Sequence, residues 1–293
     1  MASVPVSLRL GLAVVRLLPR NLVSRLAGKV AGWRWPGPLR RAQIRAFGRL
    51  AGVDFTEVRD PIESFPSLQA FFTRALVEGV RPIDPAPDSF VAPCDAVWGQ
   101  SGRVEDGTLL QVKGRPYSLG ALLGAESEAE RFEGGTYATF YLSPRDYHRF
   151  HTPYRLRIGR AAYLPGTLWP VNRAGVEGID GLFAQNERIC AFAELLSEDG
   201  QALPGQLAMV AVGAVMVGKI KVTFDDLETN LAGRSAETRS YEPAVEFDKG
   251  EEWGRFEFGS TIVIVATPGL VDLDLQPSGT PLRLGRRIGA LVG

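Results

Sequence analysis

The chain has 293 residues, 45% of them hydrophobic, enough to bury a sizeable core in one large domain or two small ones. Basic and acidic side chains balance at 33 each, yet residues 1–53 carry Arg9, Arg16, Arg20, Arg25, Lys29, Arg34, Arg40, Arg41, Arg45 and Arg49 and no acid. This segment of charge +10 on a body of −10 points to an anionic surface as partner, and it lacks any uncharged apolar run near the ~20 residues of a bilayer span.

Within that segment Leu8, Leu12 and Val15 share one helical face, as do Leu22, Leu26 and Val30, with arginines and Lys29 to the sides. The spacing predicts an amphipathic helical region lying in a membrane interface. A signal peptide is a poor fit, because the arginines interrupt every candidate apolar run. A helical arm docked on the protein's own core is the alternative, and it leaves the many arginines without a purpose. Nucleic acid is not expected as a partner, since no binding motif accompanies the charge.

Pro36 and Pro38 punctuate the chain, and a second helix is predicted over 38–51. Ser67 reads as the N-cap of a helix over 68–76 that turns Phe71, Phe72 and Leu76 inward. The proline-rich stretch 82–93 reads as a connector. From about residue 95 the pattern is β. Segments 136–142, 156–164, 189–195, 207–224 and 256–266 are rich in β-branched or aromatic residues and bounded by Gly, Pro or Asp. Stretch 235–246 reads as a polar loop. No alternation with long helices occurs, which argues against a doubly wound sheet. The expected fold is α+β, with N-terminal amphipathic helices (residues 1–60, membrane-associating) followed by a mainly antiparallel sheet core (61–293, catalytic). Cys94 and Cys190, far apart in apolar surroundings, read as two buried free thiols in a reducing cytoplasm.

Three places could carry chemistry. If 256–266 were one continuous strand, Phe256, Phe258, Ser260, Ile262 and Ile264 would share a face, burying the Ser260 hydroxyl after a permissive Gly259. A serine that only satisfies a backbone carbonyl at a bulge fits the same pattern. The chain's two histidines, His148 and His151, stand three apart in a polar loop after an apolar strand, where imidazole suits proton transfer. A surface loop or a metal pair are the other readings, and a zinc site would need two further ligands without the usual close cysteine spacing. Asp95, closing Ala92-Pro93-Cys94-Asp95-Ala96, could orient a histidine or simply make an Asx-turn.

The ordered set of motifs resembles the pyruvoyl-dependent, self-processing phosphatidylserine decarboxylase family over almost the whole chain. It comprises Phe71-Phe72-Thr73-Arg74-Ala75-Leu76, Arg81-Pro82-Ile83-Asp84, Pro93-Cys94-Asp95, Lys113-Gly114, Tyr117-Ser118-Leu119, the block from Pro144 to His151, Leu164-Pro165-Gly166, Val171-Asn172, Asn186-Glu187-Arg188, Val212-Gly213-Ala214 and Gly259-Ser260-Thr261. Two departures are Phe258, where the family usually has leucine, and Ala96, where it has glycine.

The resemblance implies autocatalytic cleavage between Gly259 and Ser260 into a β chain of 1–259 and an α chain of 260–293 that stay associated. Ser260 would become a covalent pyruvoyl group, activated by an Asp95–His151–Ser260 triad, with His148 serving the later decarboxylation. It further implies conversion of phosphatidylserine to phosphatidylethanolamine and carbon dioxide without a metal. The expected setting is an anionic membrane, with the protein a peripheral homodimer on the cytoplasmic face of a bacterial cell membrane. A pyruvoyl decarboxylase of a soluble amino acid is the competing enzyme reading. A membrane-bound carrier module, with Lys219 in a 212–220 hairpin as its modification site, is the competing non-enzyme reading.

Overall fold

The computed structural model describes residues 20–111, 115–171, 173–215, 219–231, 233–257 and 261–292. The Leu8, Leu12 and Val15 face, Lys113-Gly114, Asn172 and Phe258-Gly259-Ser260 lie outside the described residues.

Helix α1 (Arg20–Gly32) is followed by α2 (Gly37–Ala51), which begins at the Pro36–Pro38 boundary. It ends on Gly52 in the left-handed region at φ 81°, where its N–H caps the carbonyls of Gly48 and Arg49. Ile44 of α2 is fully buried in a small cluster with Val53, Phe65 and Phe71. The short helix α3 (Leu68–Phe72) starts where the Ser67 hydroxyl accepts the Ala70 N–H, so the N-cap is as expected. It stops after Phe72, four residues early, because Leu76 leaves the helix to bridge Val58.

The remainder is β. The strands in chain order are β1 (Ser89–Val91), β2 (Ala96–Arg103), β3 (Thr108–Gln111), β4 (Arg115–Ser118), β5 (Thr136–Tyr141), β6 (Arg149–His151), β7 (Leu156–Leu164) and β8 (Arg188–Leu195). They continue with β9 (Leu207–Val212), β10 (Ile220–Val222), β11 (Glu237–Phe247), β12 (Glu252–Phe256), β13 (Thr261–Ala266), β14 (Val271–Leu273), β15 (Pro281–Leu282) and β16 (Arg287–Leu291). The main sheet runs β11-β7-β8-β9-β13-β5-β2-β15, and a three-stranded sheet runs β10-β12-β6. Every strand pairing is antiparallel. The α+β class expected from the pattern is therefore the observed one.

Strand β13 is buried on both faces. Ile262 and Ile264 join one apolar cluster with Phe140, Phe150, Trp253 and Phe256, while Val263 and Val265 join a second with Tyr137 and Val210. Four local expectations change. The segment 256–266 is not one strand: β12 and β13 belong to different sheets, separated by the 258–260 segment. The segment 207–224 likewise divides into β9 and β10 in different sheets, so among the described residues these two strands do not pair as the carrier-type hairpin around Lys219 would require. Stretch 235–246 is not a loop but lies mostly within β11, an edge strand whose polar residues face solvent as edge strands commonly require. The connector 82–93 contains β1, paired with β16.

Candidate active site

Two strand pairings converge on the ends of the 258–260 segment. On one side β12 pairs with β6, setting Arg255 opposite Arg149 and Glu252 opposite His151. Gly254 permits this: a Cβ there would meet the Phe150 ring at 2.3 Å and the Lys221 carbonyl at 2.7 Å. On the other side Thr261 opens β13 between Val212 and Tyr141, the last residue of β5. The histidine loop leaves from the end of β5 and returns through β6, so the two strands flanking the loop pair with the strands on either side of the 258–260 segment.

That loop is held tightly. Asp146 accepts the Ser143 N–H at 2.6 Å, and buried Arg74 donates to the carbonyls of Arg145 and Asp146 at 2.8 and 3.0 Å. Arg149 donates to the Thr73 carbonyl twice at 3.0 Å and pairs with Glu252 at 2.8 Å. The His148 carbonyl accepts the Phe256 N–H at 2.9 Å, and the His148 ring lies flat on Phe72 with centroids 4.0 Å apart. The ring is fully buried, with the Pro144 carbonyl as a nearby acceptor.

His151 is placed differently. Its Nδ1 lies 2.8 Å from the Gly250 carbonyl and its Nε2 3.2 Å from the Tyr147 hydroxyl. A carbonyl can only accept, so Nδ1 carries the hydrogen and the Nε2 lone pair is the basic end. The sequence reading gave that orienting task to Asp95, and here the Gly250 carbonyl performs it. Asp95 instead accepts a bidentate bond from Arg81, at 2.8 and 2.6 Å, and the Leu284 N–H at 2.9 Å. Arg81 also pairs with Glu57 at 2.6 Å, and Arg283 reaches the same carboxylate at 2.7 Å. A polar cavity of about 340 Å³ connects this network to the histidine loop, with Asp95, Arg81, Arg74, Asp146 and Tyr147 in its wall. Thr261 borders a second, largely apolar cavity of about 500 Å³. The Thr261 Oγ1 is buried there without a partner among the described residues. An unpaired hydroxyl at residue 261 would suit a small polar carbonyl group next to it, such as the pyruvoyl group that the resemblance implies. Ser260 and Gly259 themselves lie outside the described residues. No group of three or more His, Cys, Asp or Glu among those residues is arranged to hold a metal ion.

The family model for phosphatidylserine decarboxylase matches residues 68–290. The chain belongs to that family. It is 42% identical over 285 residues to the phosphatidylserine decarboxylase proenzyme of Anaeromyxobacter sp. (strain K), covering 96% of this chain and 98% of that protein. It is 37% identical over 281 residues to the proenzyme of Myxococcus xanthus (strain DK1622), covering 95% and 97%. With the proenzyme of Brevibacillus brevis (strain 47 / JCM 6285 / NBRC 100599) it shares 38% identity over 253 residues, 86% and 87% of the two chains. The protein is thus an enzyme, a decarboxylase of a family whose members are made as proenzymes.

The electrostatics of the site follow from burial. Desolvation holds the His148 pKa well below 6.5, reinforced by the Arg74 charge and opposed weakly by the Pro144 carbonyl. His151 is also lowered by burial, against the Gly250 hydrogen bond and the fields of Glu252 and Asp95. Burial raises the Asp146 carboxyl and pushes the Tyr147 phenol up to about 12, while Arg74 falls to about 10. Arg81 loses by burial but gains more from its bonds to Asp95 and Glu57, so it stays firmly cationic. Both imidazoles are therefore neutral, base-competent groups near pH 7.

A stability consequence can be measured. The unfolded chain protonates His148 below about 6.5 while the native chain does not. Stability is then complete above that pH and falls on acidification by about 1.4 kcal/mol per pH unit until the lowered native pKa is reached. Melting curves of the uncut Ser260→Ala chain should drop by roughly 2 °C between pH 6.5 and 5.5, as expected for about 1 kcal/mol in a chain of this size. Adding His148→Phe, which keeps the stacking on Phe72, should flatten that drop. An unchanged drop in the double variant would refute the assignment.

Arg81, Glu57, Tyr147 and Arg149 received no role from sequence reasoning. Arg81 and Arg74 stand inside family motifs, which was the available signal, but their partners lie 14 to 72 positions away. Ala96, the departure next to Asp95, is buried at the start of β2 and pairs with Leu282.

Proposed function

We infer that the chain matures by cutting itself between Gly259 and Ser260 and then decarboxylates phosphatidylserine to phosphatidylethanolamine. The observation that carries this is the family membership joined to the paired geometry. β6 and β12 bring the histidine block against the strand leading into Gly259-Ser260, and β5 and β13 bring the other end of the same loop against Thr261.

In the maturation step His151 Nε2 takes the proton of Ser260 Oγ as that oxygen attacks the Gly259 carbonyl carbon. The Gly259–Ser260 C–N bond breaks and an ester forms at Oγ. Elimination across Cα–Cβ of residue 260 releases the Gly259 carboxylate and leaves a dehydroalanine. One water hydrolyses its imine tautomer, expelling ammonia and leaving a pyruvoyl group at the head of the 260–293 chain. Asp95 supports His151 through space, because its charge favours the imidazolium that forms in this step. The pyruvoyl group supplies an electron sink for loss of carbon dioxide from an amine-bearing substrate. His148, buried and neutral beside Phe72, is the residue we assign to moving the proton at the substrate's Cα.

The outer face of α1 supports a membrane-borne substrate. Leu22, Leu26 and Val30 are 48–56% exposed along one stripe flanked by Arg25 and Lys29, and Trp33, just past the helix end and beside Arg34, is 64% exposed. Exposed apolar side chains with basic flanks fit the interface of an anionic bilayer. No helix of the described residues is long and apolar enough to cross a membrane. The inner side of α1 is docked, with Arg20 3.4 Å over the Trp169 ring and Asn21 donating to the Gly166 carbonyl. The arm is thus both anchored to the core and open to a lipid surface, which supports peripheral attachment; the cytoplasmic face, a β–α pair that stays associated and a homodimer belong to the same proposal.

The test is carbon dioxide release by the purified, matured protein from vesicles containing phosphatidylserine, beside free serine and other soluble amino acids. Release from vesicles at least a hundredfold faster is expected. Preference for a free amino acid would replace this reading with the soluble-substrate one.

A further inference from the structure

A third cleft, of about 900 Å³, lies between α1 and the β10-β12-β6 sheet. Arg25 and Lys29 of α1 face Lys219, Lys221 and Arg255 across it, and Glu257 is the one acid in its wall among the described residues. The register places Lys221 directly opposite Arg255 and Arg255 directly opposite Arg149, a row of three cations across three strands. Like charges directly opposite one another destabilise a sheet, so folding alone does not account for the row. Its compensation inside the protein is partial. Glu228 holds Lys219 and Lys221 at 2.5 and 3.2 Å, Glu257 meets Lys221 at 3.4 Å, and Glu252 holds Arg149. Glu257 is further occupied by the Gln69 amide. The cleft wall remains net cationic, with five basic side chains against one carboxylate.

Position adds to charge. Glu257 immediately precedes the 258–260 segment, Trp33 lies at the cleft just beyond the end of α1, and α1 carries the exposed stripe of Leu22, Leu26 and Val30. An amphiphile lying along that stripe would bring an anionic head under α1 and toward Glu257. We propose that this cleft is the site for the phosphodiester anion of a glycerophospholipid head group, with Lys29, Lys221 and Arg255 as its donors. The proposal deepens the membrane-phospholipid reading above and rests on it. Charge-assisted bonds from several cations to one phosphodiester give orientation as well as attraction, which a reaction at the adjoining amine-bearing carbon needs.

The test uses the full-length Ser260→Ala chain, so binding is read without turnover. Dihexanoyl phosphatidylserine below its micelle concentration is the probe, with glycerophosphoserine and inorganic phosphate as competitors, all by calorimetry. Lys29→Gln with Arg255→Gln should weaken binding of the short-chain lipid at least tenfold. Arg103→Gln with Arg287→Gln removes the same charge elsewhere and should change it by less than twofold. Glycerophosphoserine should compete better than inorganic phosphate. If the double cleft variant fails to fold, Lys29→Gln alone, on an exposed helix surface, should still weaken binding about threefold. Equal losses in cleft and control variants, no lipid binding, or phosphate binding as tightly as the lipid would overturn the site. Failure of the activity reading is separable: weakened lipid binding in the cleft variant together with no carbon dioxide release from vesicles by the unmutated protein leaves the cleft and removes the reaction.

Discussion

Denaturing mass analysis of the expressed wild-type protein should resolve two chains, residues 1–259 and 260–293, and Ser260→Ala should give a single chain of 293 residues. The effect is all or none because the step needs an oxygen nucleophile attached to the residue whose own backbone bond is broken, and alanine offers none. The short fragment should lack a free amine, since that nitrogen leaves as ammonia. Labelling with an amine-reactive reagent and with a carbonyl-reactive hydrazide distinguishes the two ends. A wild-type chain that stays whole under conditions where relatives mature, or a short fragment with an ordinary amino terminus, ends the proposal.

The second large effect separates the two histidines. His151→Ala should slow chain separation by about 10²–10⁴-fold, the usual range for loss of a positioned general base. Its Nε2 is the end left basic by the Gly250 carbonyl, and no other imidazole can replace it: His148 is stacked on Phe72 with its carbonyl tied to Phe256. His148→Ala should separate into two chains yet release carbon dioxide from phosphatidylserine at least a hundredfold more slowly. Chain separation is followed by gel over hours and turnover by carbon dioxide capture on the same preparations. Normal turnover by matured His148→Ala, or unimpaired cutting by His151→Ala, would overturn the division of roles. Because burial lowers the His151 pKa, cutting by the wild type should persist below pH 6.5, where an exposed imidazole would already be protonated.

These effects also bear on Asp95. In the uncut chain it is bound by Arg81 and the Leu284 N–H rather than by His151. Its influence on the imidazole is then electrostatic, and Arg81 sets its position. A buried carboxylate with a bidentate guanidinium is fixed in orientation but screened in charge.

Short-range signals were legible from residues alone. Proline, glycine and a capping serine act within a turn of the chain, so the bounds of α2 and the start of α3 follow from Pro36, Gly52 and Ser67. Alternation and β-branching marked β5, β7 and β8 nearly to the residue, and two scarce histidines together with a Gly-Ser bond marked the candidate site. Where strands change sheets was not legible. Apolar residues stand on both sides of the breaks after Val212 and Phe256, and only the pairing partners tell β9 from β10 and β12 from β13. The polar strand β11 was hidden for the same reason: an edge position, not composition, makes it a strand.

Local sequence therefore determined which groups this protein possesses and where most of its helices and strands begin. The tertiary structure alone decided which of them meet. Arg81 reaches Asp95 across 14 positions, His151 meets Gly250 across 99, and the row Lys221–Arg255–Arg149 spans three strands. The physical reason is range: propensity and capping act over a few residues, whereas hydrogen bonds, ion pairs and burial depend on distances that exist only once the sheets have paired.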